Sequence, residues 1–216
     1  MGSEMCIRDS YHYCRDEEER LVRNYLPHRP MGMLLTGFDR TEATRHLLAT
    51  SRIPCVHMME LSAAPGIASV GFSQQAAGEA AAVHLLQQGR KRLAYVAAQL
   101  DPRVMQRGEG FRRALQAAGV YDPALELLHP LPSSIGLGCQ LFRELMQRHP
   151  DVDGIFFCND DLAQGALFEA QRSDLAVPGR VAMVGFNDLP ASAHTVPRLS
   201  SIHTPRTEVG LSLIHI

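Results

Sequence analysis

Two segments, Gly154-Ile-Phe-Phe-Cys-Asn-Asp160 and Val181-Ala-Met-Val-Gly-Phe-Asn-Asp188, decide the predicted fold of this chain. In each, an apolar run without polar alternation stops at an Asn-Asp pair. Such runs are typical of strands buried on both faces, as in parallel sheets covered by helices. Ligands of open α/β sheets bind outside the carboxyl ends of these strands. The pairs therefore point to a polar small-molecule cleft; the simpler interpretation is that each pair caps a helix or shapes a turn.

Strand-like and helix-like segments alternate along the chain, which predicts parallel α/β sheets built from βαβ units. The tail from Pro190 to Arg206 is rich in Pro, Ser and Thr and is predicted to form loops around a short final strand. The predicted strands are 31–37, 55–60, 67–72, 93–98, 125–131, 154–158, 181–186 and 199–203, and the predicted helices are 15–26, 41–51, 73–88, 103–118, 135–148 and 161–172.

The composition is that of an ordinary globular protein. The 216 residues are 45% hydrophobic and 20% charged, enough for one large or two small domains. A net charge of −2 gives no basic face for nucleic acid. No apolar run approaches the roughly 18 residues of a membrane helix, so no membrane partner is expected. The five cysteines have no C-x-x-C spacing and are expected to be reduced, which favours a cytoplasmic location.

Templates for catalysis and cofactor binding are missing from the sequence. There is no H-E-x-x-H, G-x-S-x-G or G-x-x-x-x-G-K motif, and the ten histidines are dispersed without metal-ligand spacing. Gly108-Glu-Gly110 lacks the third glycine of a dinucleotide fingerprint and lies within a predicted helix. We therefore expect no enzyme activity, no metal and no cofactor.

Arg107 is placed on an apolar helix face by the spacing of its neighbours. It shares that face with Val104, Gly108, Phe111 and Leu115. A buried guanidinium needs a partner, and a carboxylate is the bidentate one. A bound ligand could supply that carboxylate, and Arg103 and Gln106 would then add hydrogen-bond donors. Alternatively, the carboxylate could come from the protein itself, from Asp101, Glu109 or Asp160.

The two ends of the chain are related at the DNA level. Met5-Cys-Ile-Arg-Asp-Ser10 and Leu211-Ser-Leu-Ile-His-Ile216 can be encoded by one DNA sequence read in opposite directions. That sequence resembles a transposase-library adaptor, so residues 1–10 and 211–216 are expected to be non-native and are left out of the fold prediction.

Several short motifs, in a fixed order, carry a resemblance to a known family. The set resembles the effector-binding region of the LacI–GalR family of bacterial transcriptional regulators. Within it, the segments 101–111, 157–168 and 187–192 are most similar to gluconate-operon repressors. The motifs are Val70-Gly-Phe-Ser73, Gly89-Arg-Lys-Arg-Leu-Ala-Tyr-Val96, Arg107-Gly-Glu-Gly-Phe111, Cys158-Asn-Asp160 with Gly165-Ala166, Val184-Gly-Phe-Asn-Asp188 and Pro197-Arg-Leu-Ser-Ser-Ile202.

The resemblance implies a periplasmic-binding-protein-like fold of two parallel-sheet subdomains with a sugar-type effector between them. Residues 11–73 would form the first subdomain, 74–203 the second and 204–210 a crossover. The first would be incomplete, and both would lack their C-terminal strands. The implied partners are gluconate or a similar aldonate and a second copy of the chain, with operator DNA reached only through a helix-turn-helix missing from this sequence.

The resemblance also implies roles for individual residues. Arg107 would clamp effector hydroxyls or carboxylate, Asn159 would contact the effector, and Asp160 would orient its strand end or touch the ligand. Asn187 stands where the family has an aspartate, which fits an anionic effector. The implied effector-binding set is Arg107, Asn159, Asp160, Asn187, Phe72, Ser73, Asp101, Arg103, Gln106 and Phe186.

Two other functions remain open at this point. A periplasmic sugar-binding protein of a transporter shares the implied fold, and fold alone does not settle function. A small-molecule α/β dehydrogenase or kinase is disfavoured because the phosphate-binding loops are missing.

Overall fold

Residues 14–214 are described by the computed structural model and fall into two units. One unit ends at Phe72 and resumes at Arg206, and the other is Ser73–Pro205. The predicted breaks were after residue 73 and within 204–210. Residues 1–10, predicted to be adaptor-like, lie outside the described range, whereas 211–214 continue the last helix.

Besides three short 3₁₀ helices, the described range contains fifteen α-helices and β-strands. In chain order they are α1 (Arg15–Tyr25), β1 (Met33–Thr36), α2 (Glu42–Ser51), β2 (Cys55–Met58), β3 (Ala68–Val70), α3 (Gln74–Gln87), β4 (Leu93–Ala98), α4 (Pro102–Ala117), β5 (Glu126–His129), α5 (Ile135–Arg148), β6 (Gly154–Phe157), α6 (Asp160–Arg172), β7 (Ala182–Asn187), β8 (Ser200–His203) and α7 (Arg206–Ile214).

The first unit contains a parallel sheet of order β1-β2-β3 together with α1, α2 and α7. A buried ion pair joins α1 to the loop after β1, since Arg40 Nε lies 3.1 Å from Glu18 Oε1. The same guanidinium lies 3.1 Å from Nδ1 of His57 on β2. This polar cluster therefore links helix, loop and strand.

The second unit contains a parallel sheet of order β5-β4-β6-β7-β8. After β4 the chain moves outward through α4 to β5, and α5 returns it to the other side of β4. The direction of winding thus reverses between β4 and β6. Because crossovers are right-handed, α4 lies on one face with α3, and α5 lies on the other with α6. Ligands of such sheets bind at this reversal.

Glycines bring α3 and α4 into backbone contact. A Cβ on Gly78 would lie 1.9 Å from the carbonyl oxygen of Arg107, and one on Gly110 would lie 1.9 Å from that of Gln75. A Cβ on Gly108 would lie 2.6 Å from the Tyr95 ring. The Gly-x-Gly pattern in α4 is therefore explained by close packing, which fixes the height of Arg107 above the sheet.

The predicted parallel α/β architecture is confirmed by the two sheets, and most element boundaries shift by one or two residues. The tail prediction was wrong in one respect, because Pro190–His194 forms a 3₁₀ helix rather than a loop. Its Ser192 is buried and bonded to Asp160, which holds the segment in a defined conformation. None of the helices in the described range is long and apolar enough to cross a membrane.

Candidate ligand-binding site

Helix α4 places Arg107 against the carboxyl ends of the central strands. Asp101 caps this helix, with Oδ1 accepting hydrogen bonds from the backbone N–H groups of Arg103 (2.9 Å) and Val104 (3.2 Å). Pro102 follows at the first helical position, where a missing N–H costs nothing. One turn further, Arg107 is on the buried face of the helix and only 8% exposed. The face predicted from residue spacing is the one observed.

The guanidinium of Arg107 is held by three contacts. Nη1 donates to the carbonyl oxygen of Cys158, and Nε donates to that of Arg103 at 3.3 Å. The guanidinium carbon lies 3.9 Å from the centroid of the Phe186 ring. Cys158 follows β6 and Phe186 lies in β7, while α4 follows β4. The side chain therefore spans the point where the sheet reverses its winding.

No carboxylate in the described range forms an ion pair with Arg107. The three internal candidates have other partners: Asp101 caps α4 and lies 3.5 Å from Arg103 Nε, Glu109 pairs with Arg112, and Asp160 is bound by backbone and hydroxyl donors. Burial lowers the pKa of Arg107 from its ordinary value. Within residues 14–214 the charge of Asp101 acts on this guanidinium without forming an ion pair with it, so no carboxylate there directly neutralises Arg107.

Asn159 combines a structural role with partial exposure. Its Oδ1 accepts a hydrogen bond from the backbone N–H of Leu162 at 3.1 Å and so caps α6. The same amide contacts Ser133, whose hydroxyl lies 3.0 Å from Oδ1 and 2.7 Å from Nδ2. Asn159 is therefore a helix cap, as the simpler interpretation of the sequence predicted. Its amide is half-buried and lies at the carboxyl end of β6.

Asp160 is an internal anchor with no exposed surface. Its carboxylate accepts hydrogen bonds from Leu189 N (2.6 Å), Ser192 Oγ (2.9 Å) and Ser201 Oγ (2.6 Å). Burial raises the pKa of Asp160, and these hydrogen bonds oppose the rise. Of the two roles expected for Asp160, the contacts fit orientation of the strand ends. Direct ligand contact does not fit, because both oxygens are enclosed by protein.

Asn187 and Asp188 shape the turn after β7. Their φ angles are 106° and 51°, a left-handed region in which Asn and Asp are the side chains most often found. Within residues 14–214 the side-chain amide of Asn187 makes no hydrogen bond. Asp188 Oδ2 lies 2.9 Å from Nδ1 of His203, the residue that pairs with Asn187 across the β7–β8 ladder. The two Asn-Asp pairs therefore have different structural roles.

The other predicted residues lie on both units. Ser73 caps α3 by accepting a hydrogen bond from Ala76 N at 3.1 Å, and Gln106 is half-buried on α4. Phe72 is the last residue of the first unit before the chain leaves it. The residues of the second unit that lie near the carboxyl ends of β4, β6 and β7 are Asp101, Arg103, Arg107, Asn159, Asp160, Phe186 and Asn187, whereas no contact within the described range places Gln106 among them.

Sequence reasoning missed Ser133 and His203. Ser133 lies in the loop before α5, beside the helix cap Ser134, and two adjacent serines before a helix indicate a cap but not a contact with a distant strand end. His203 ends β8 next to Asn187. Among the residues that the structure describes, no group of three or more His, Cys, Asp or Glu side chains is placed to hold a metal ion.

Comparisons with known proteins agree with this architecture. A profile described as "Periplasmic binding protein-like domain" matches residues 82–216. The HTH-type transcriptional regulator GntR of Pseudomonas aeruginosa is 62% identical over 209 residues, covering 97% of this chain and 61% of that protein. The HTH-type transcriptional regulator IdnR of Escherichia coli K12 is 34% identical over 202 residues, covering 93% and 60%.

A solved structure is similar over most of the chain. The crystal structure of transcription regulator GntR from Chromobacterium violaceum has a TM-score of 0.91 at 44% identity, covering 94% of this chain and 74% of that one. The chain spans about three fifths of the length of the two curated relatives.

Proposed function

Because this chain belongs to the LacI–GalR family of transcriptional regulators and has their periplasmic-binding-protein-like fold, we propose that it is the effector-sensing core of a repressor that binds gluconate or a related sugar acid. The comparisons confirm the fold and the family that were expected from the sequence. The observation that supports an anionic effector is Arg107, a buried guanidinium at the strand ends without a carboxylate partner in the described range.

The hydrogen-bond inventory of the site favours a ligand rich in acceptors. A guanidinium has five N–H groups, and two of those on Arg107 are used by Arg103 and Cys158. Three remain. Within the described part of the chain, the amide of Asn159 keeps one N–H after its bonds to Ser133 and Leu162, and the amide of Asn187 makes no hydrogen bond. A carboxylate can accept bidentate hydrogen bonds from Arg107, while hydroxyls along a sugar chain can pair with the amides.

The charges around Arg107 support the same class of ligand. Asp160 is enclosed and saturated, and Asp101 is balanced by Arg103 at 3.5 Å. At the end of β7 a neutral amide, Asn187, stands where the family has an aspartate. A carboxylate at that position would repel an anionic effector, so the asparagine is consistent with an acid rather than a neutral sugar.

We further propose a cytoplasmic homodimer that reaches operator DNA through a helix-turn-helix outside this chain. The two curated relatives described above are named as HTH-type regulators and span a greater length. Effector binding would shift the population of conformations, and the affinities for effector and operator would be coupled reciprocally. No covalent step is part of this function. The named relatives are regulators, and the transporter alternative is therefore not favoured.

The proposal is tested by thermal shift and calorimetry with a matched pair of ligands. Gluconate and glucitol have the same six-carbon chain and differ at carbon 1, which is a carboxylate in one and a hydroxymethyl group in the other. At 100 times its Kd, gluconate adds about 2.7 kcal/mol to the free energy of unfolding, which raises Tm by several degrees. Glucitol at the same concentration leaves Tm nearly unchanged. Equal shifts with both ligands would refute the anionic effector.

A further inference from the structure

Ser133 is brought to the candidate site by the loop that follows β5. The backbone N–H of Gln99, just after β4, donates to the carbonyl oxygens of His129 (3.0 Å) and Leu131 (2.9 Å). The first part of the loop is therefore tied to the end of β4. Since β4 lies between β5 and β6 in the sheet, the contact from Ser133 to Asn159 reaches across the carboxyl end of β4.

The contact with Ser133 determines what the amide of Asn159 can offer. Oδ1 has two lone pairs, and both are used, one by the N–H of Leu162 and one by the hydroxyl of Ser133. Nδ2 has two N–H groups, and one donates to Ser133 Oγ at 2.7 Å. With respect to residues 14–214, the amide therefore has one free N–H and no free acceptor. It is a donor-only group as long as the Ser133 hydroxyl is in place.

We infer that Ser133 is a specificity-determining residue of the effector site, because it fixes Asn159 as a donor and so selects an anionic or acceptor-rich ligand over a neutral polyol. This inference rests on the proposed function. A carboxylate oxygen accepts the remaining N–H. A ligand hydroxyl that needs to donate finds no acceptor on this amide, and an unmatched polar group in a site weakens binding. Ser133 acts through Asn159 and is thus a positioning residue.

The chain offers a matched control one residue away. Ser134 Oγ accepts a hydrogen bond from Leu137 N at 3.1 Å and caps α5, with no bond to Asn159. Ser134→Ala perturbs the same loop and helix without changing the amide. Ser133→Thr keeps the hydroxyl, whereas Ser133→Ala removes it and releases one acceptor lone pair and one N–H of Asn159.

The first measurement is the ratio of the Kd for glucitol to the Kd for gluconate, by calorimetry on each variant. We expect Ser133→Ala to lower this ratio by about 5- to 10-fold, the scale of one net hydrogen bond, chiefly through tighter glucitol binding. Ser133→Thr and Ser134→Ala keep the wild-type ratio within about twofold. An unchanged ratio in Ser133→Ala, or an equal change in Ser134→Ala, overturns the inference.

The second measurement needs no ligand. The side-chain NH₂ signals of Asn159 in the NMR spectrum are assigned by their loss in Asn159→Asp. We expect Ser133→Ala to move these signals and Ser133→Thr and Ser134→Ala to leave them in place. If these signals do not move in Ser133→Ala, the Ser133 hydroxyl does not constrain the Asn159 amide and the inference is refuted. If the signals move in Ser133→Ala but the wild-type protein binds neither gluconate nor glucitol, the proposed function is refuted. The role of Ser133 in ligand selectivity is then refuted as well, whereas its hydrogen bonding to Asn159 is confirmed.

Discussion

The guanidinium carbon of Arg107 lies 3.9 Å from the centroid of the Phe186 ring, so a helix of one βαβ unit and a strand of another meet through a cation and an aromatic face. An arginine stacked in this way keeps its N–H groups in the guanidinium plane, free for bonds at the edge. Two of those bonds go to carbonyl oxygens of Arg103 and Cys158. The stack and the two bonds together fix the direction in which the remaining donors point.

Replacing Arg107 tests the charge at the centre of the proposed site. We expect Arg107→Ala to weaken gluconate binding by at least about 100-fold, because two charge-assisted hydrogen bonds of about 1.5–3 kcal/mol each are lost. Arg107→Lys restores only part of that loss, since an ammonium lacks the planar fork. Isothermal calorimetry gives both values.

Arg113 provides the matched control on the same helix. It is exposed, and Arg113→Ala removes the same charge from α4 at a position away from the strand ends. We expect its gluconate affinity to equal that of the wild type. If Arg107→Ala binds gluconate as tightly as the wild type does, the clamp assignment is wrong.

A single charge at the end of β7 is expected to change the ligand preference. Asn187→Asp fits the positive φ of 106° as well as asparagine does, so the backbone should be retained. The new carboxylate repels gluconate, and we expect its Kd to rise at least 10-fold while that of glucitol changes little. Asn24→Asp on α1, which is exposed, adds the same charge far along the chain as a control. Equal losses for both ligands would contradict the electrostatic explanation.

Gly185 and Asp160 are coupled by close packing. A Cβ on Gly185 would lie 2.2 Å from Asp160 Oδ1, a carboxylate fixed by three hydrogen bonds. We expect Gly185→Ala to lower the free energy of unfolding by about 3 kcal/mol, from overpacking and displaced hydrogen bonds. Urea denaturation measures this change.

Gly136 is the control for the same substitution. It lies in the first turn of α5, and its Cβ would meet only Ser134 Oγ at 4.0 Å. We expect Gly136→Ala to be neutral or to stabilise by up to about 1 kcal/mol through helix propensity. Similar effects of the two substitutions would show that Asp160 is free to move.

Cys158 is expected to make stability depend on pH in the alkaline range. Burial raises the pKa of this thiol to about 11, from an ordinary value near 9. The folded chain therefore keeps a proton that the unfolded chain loses, so stability present below about pH 9 is lost as the pH rises towards 11. Urea denaturation at pH 8 and pH 10 should show a smaller decrease in Cys158→Ala than in the wild type. An identical decrease in both would contradict this origin.

Alkylation of the same thiol offers an independent check. The thiolate is the reactive form, so at pH 8 only about one part in a thousand of the native Cys158 thiol is reactive. Iodoacetamide followed by mass spectrometry should label the exposed Cys14 quickly and Cys158 only after unfolding. Rapid native labelling of Cys158 would show that the strand end opens readily.

The features of the site that depend on helix and strand periodicity could be predicted from the sequence. Val104, Phe111 and Leu115 place Arg107 on a buried helix face by spacing alone, and the structure has it there. The two apolar runs ending in Asn-Asp predict buried parallel strands, which β6 and β7 are. Residue spacing could not predict the structural role of each polar residue. In the structure Asn159 caps a helix, Asp160 is an enclosed anchor and Asn187 adopts a positive φ.

The sequence by itself determined the alternation of strands and helices, the burial of Arg107 and the family, because these depend on local periodicity and on the order of short motifs. Only the tertiary structure decided that β5 lies beyond β4 while β6 lies on the other side, so that the loop carrying Ser133 crosses the end of β4 to reach Asn159. The physical reason is that hydrogen bonds between residues 26 positions apart depend on strand order. Strand order is set by the packing of whole helices on the sheet, which no local pattern contains.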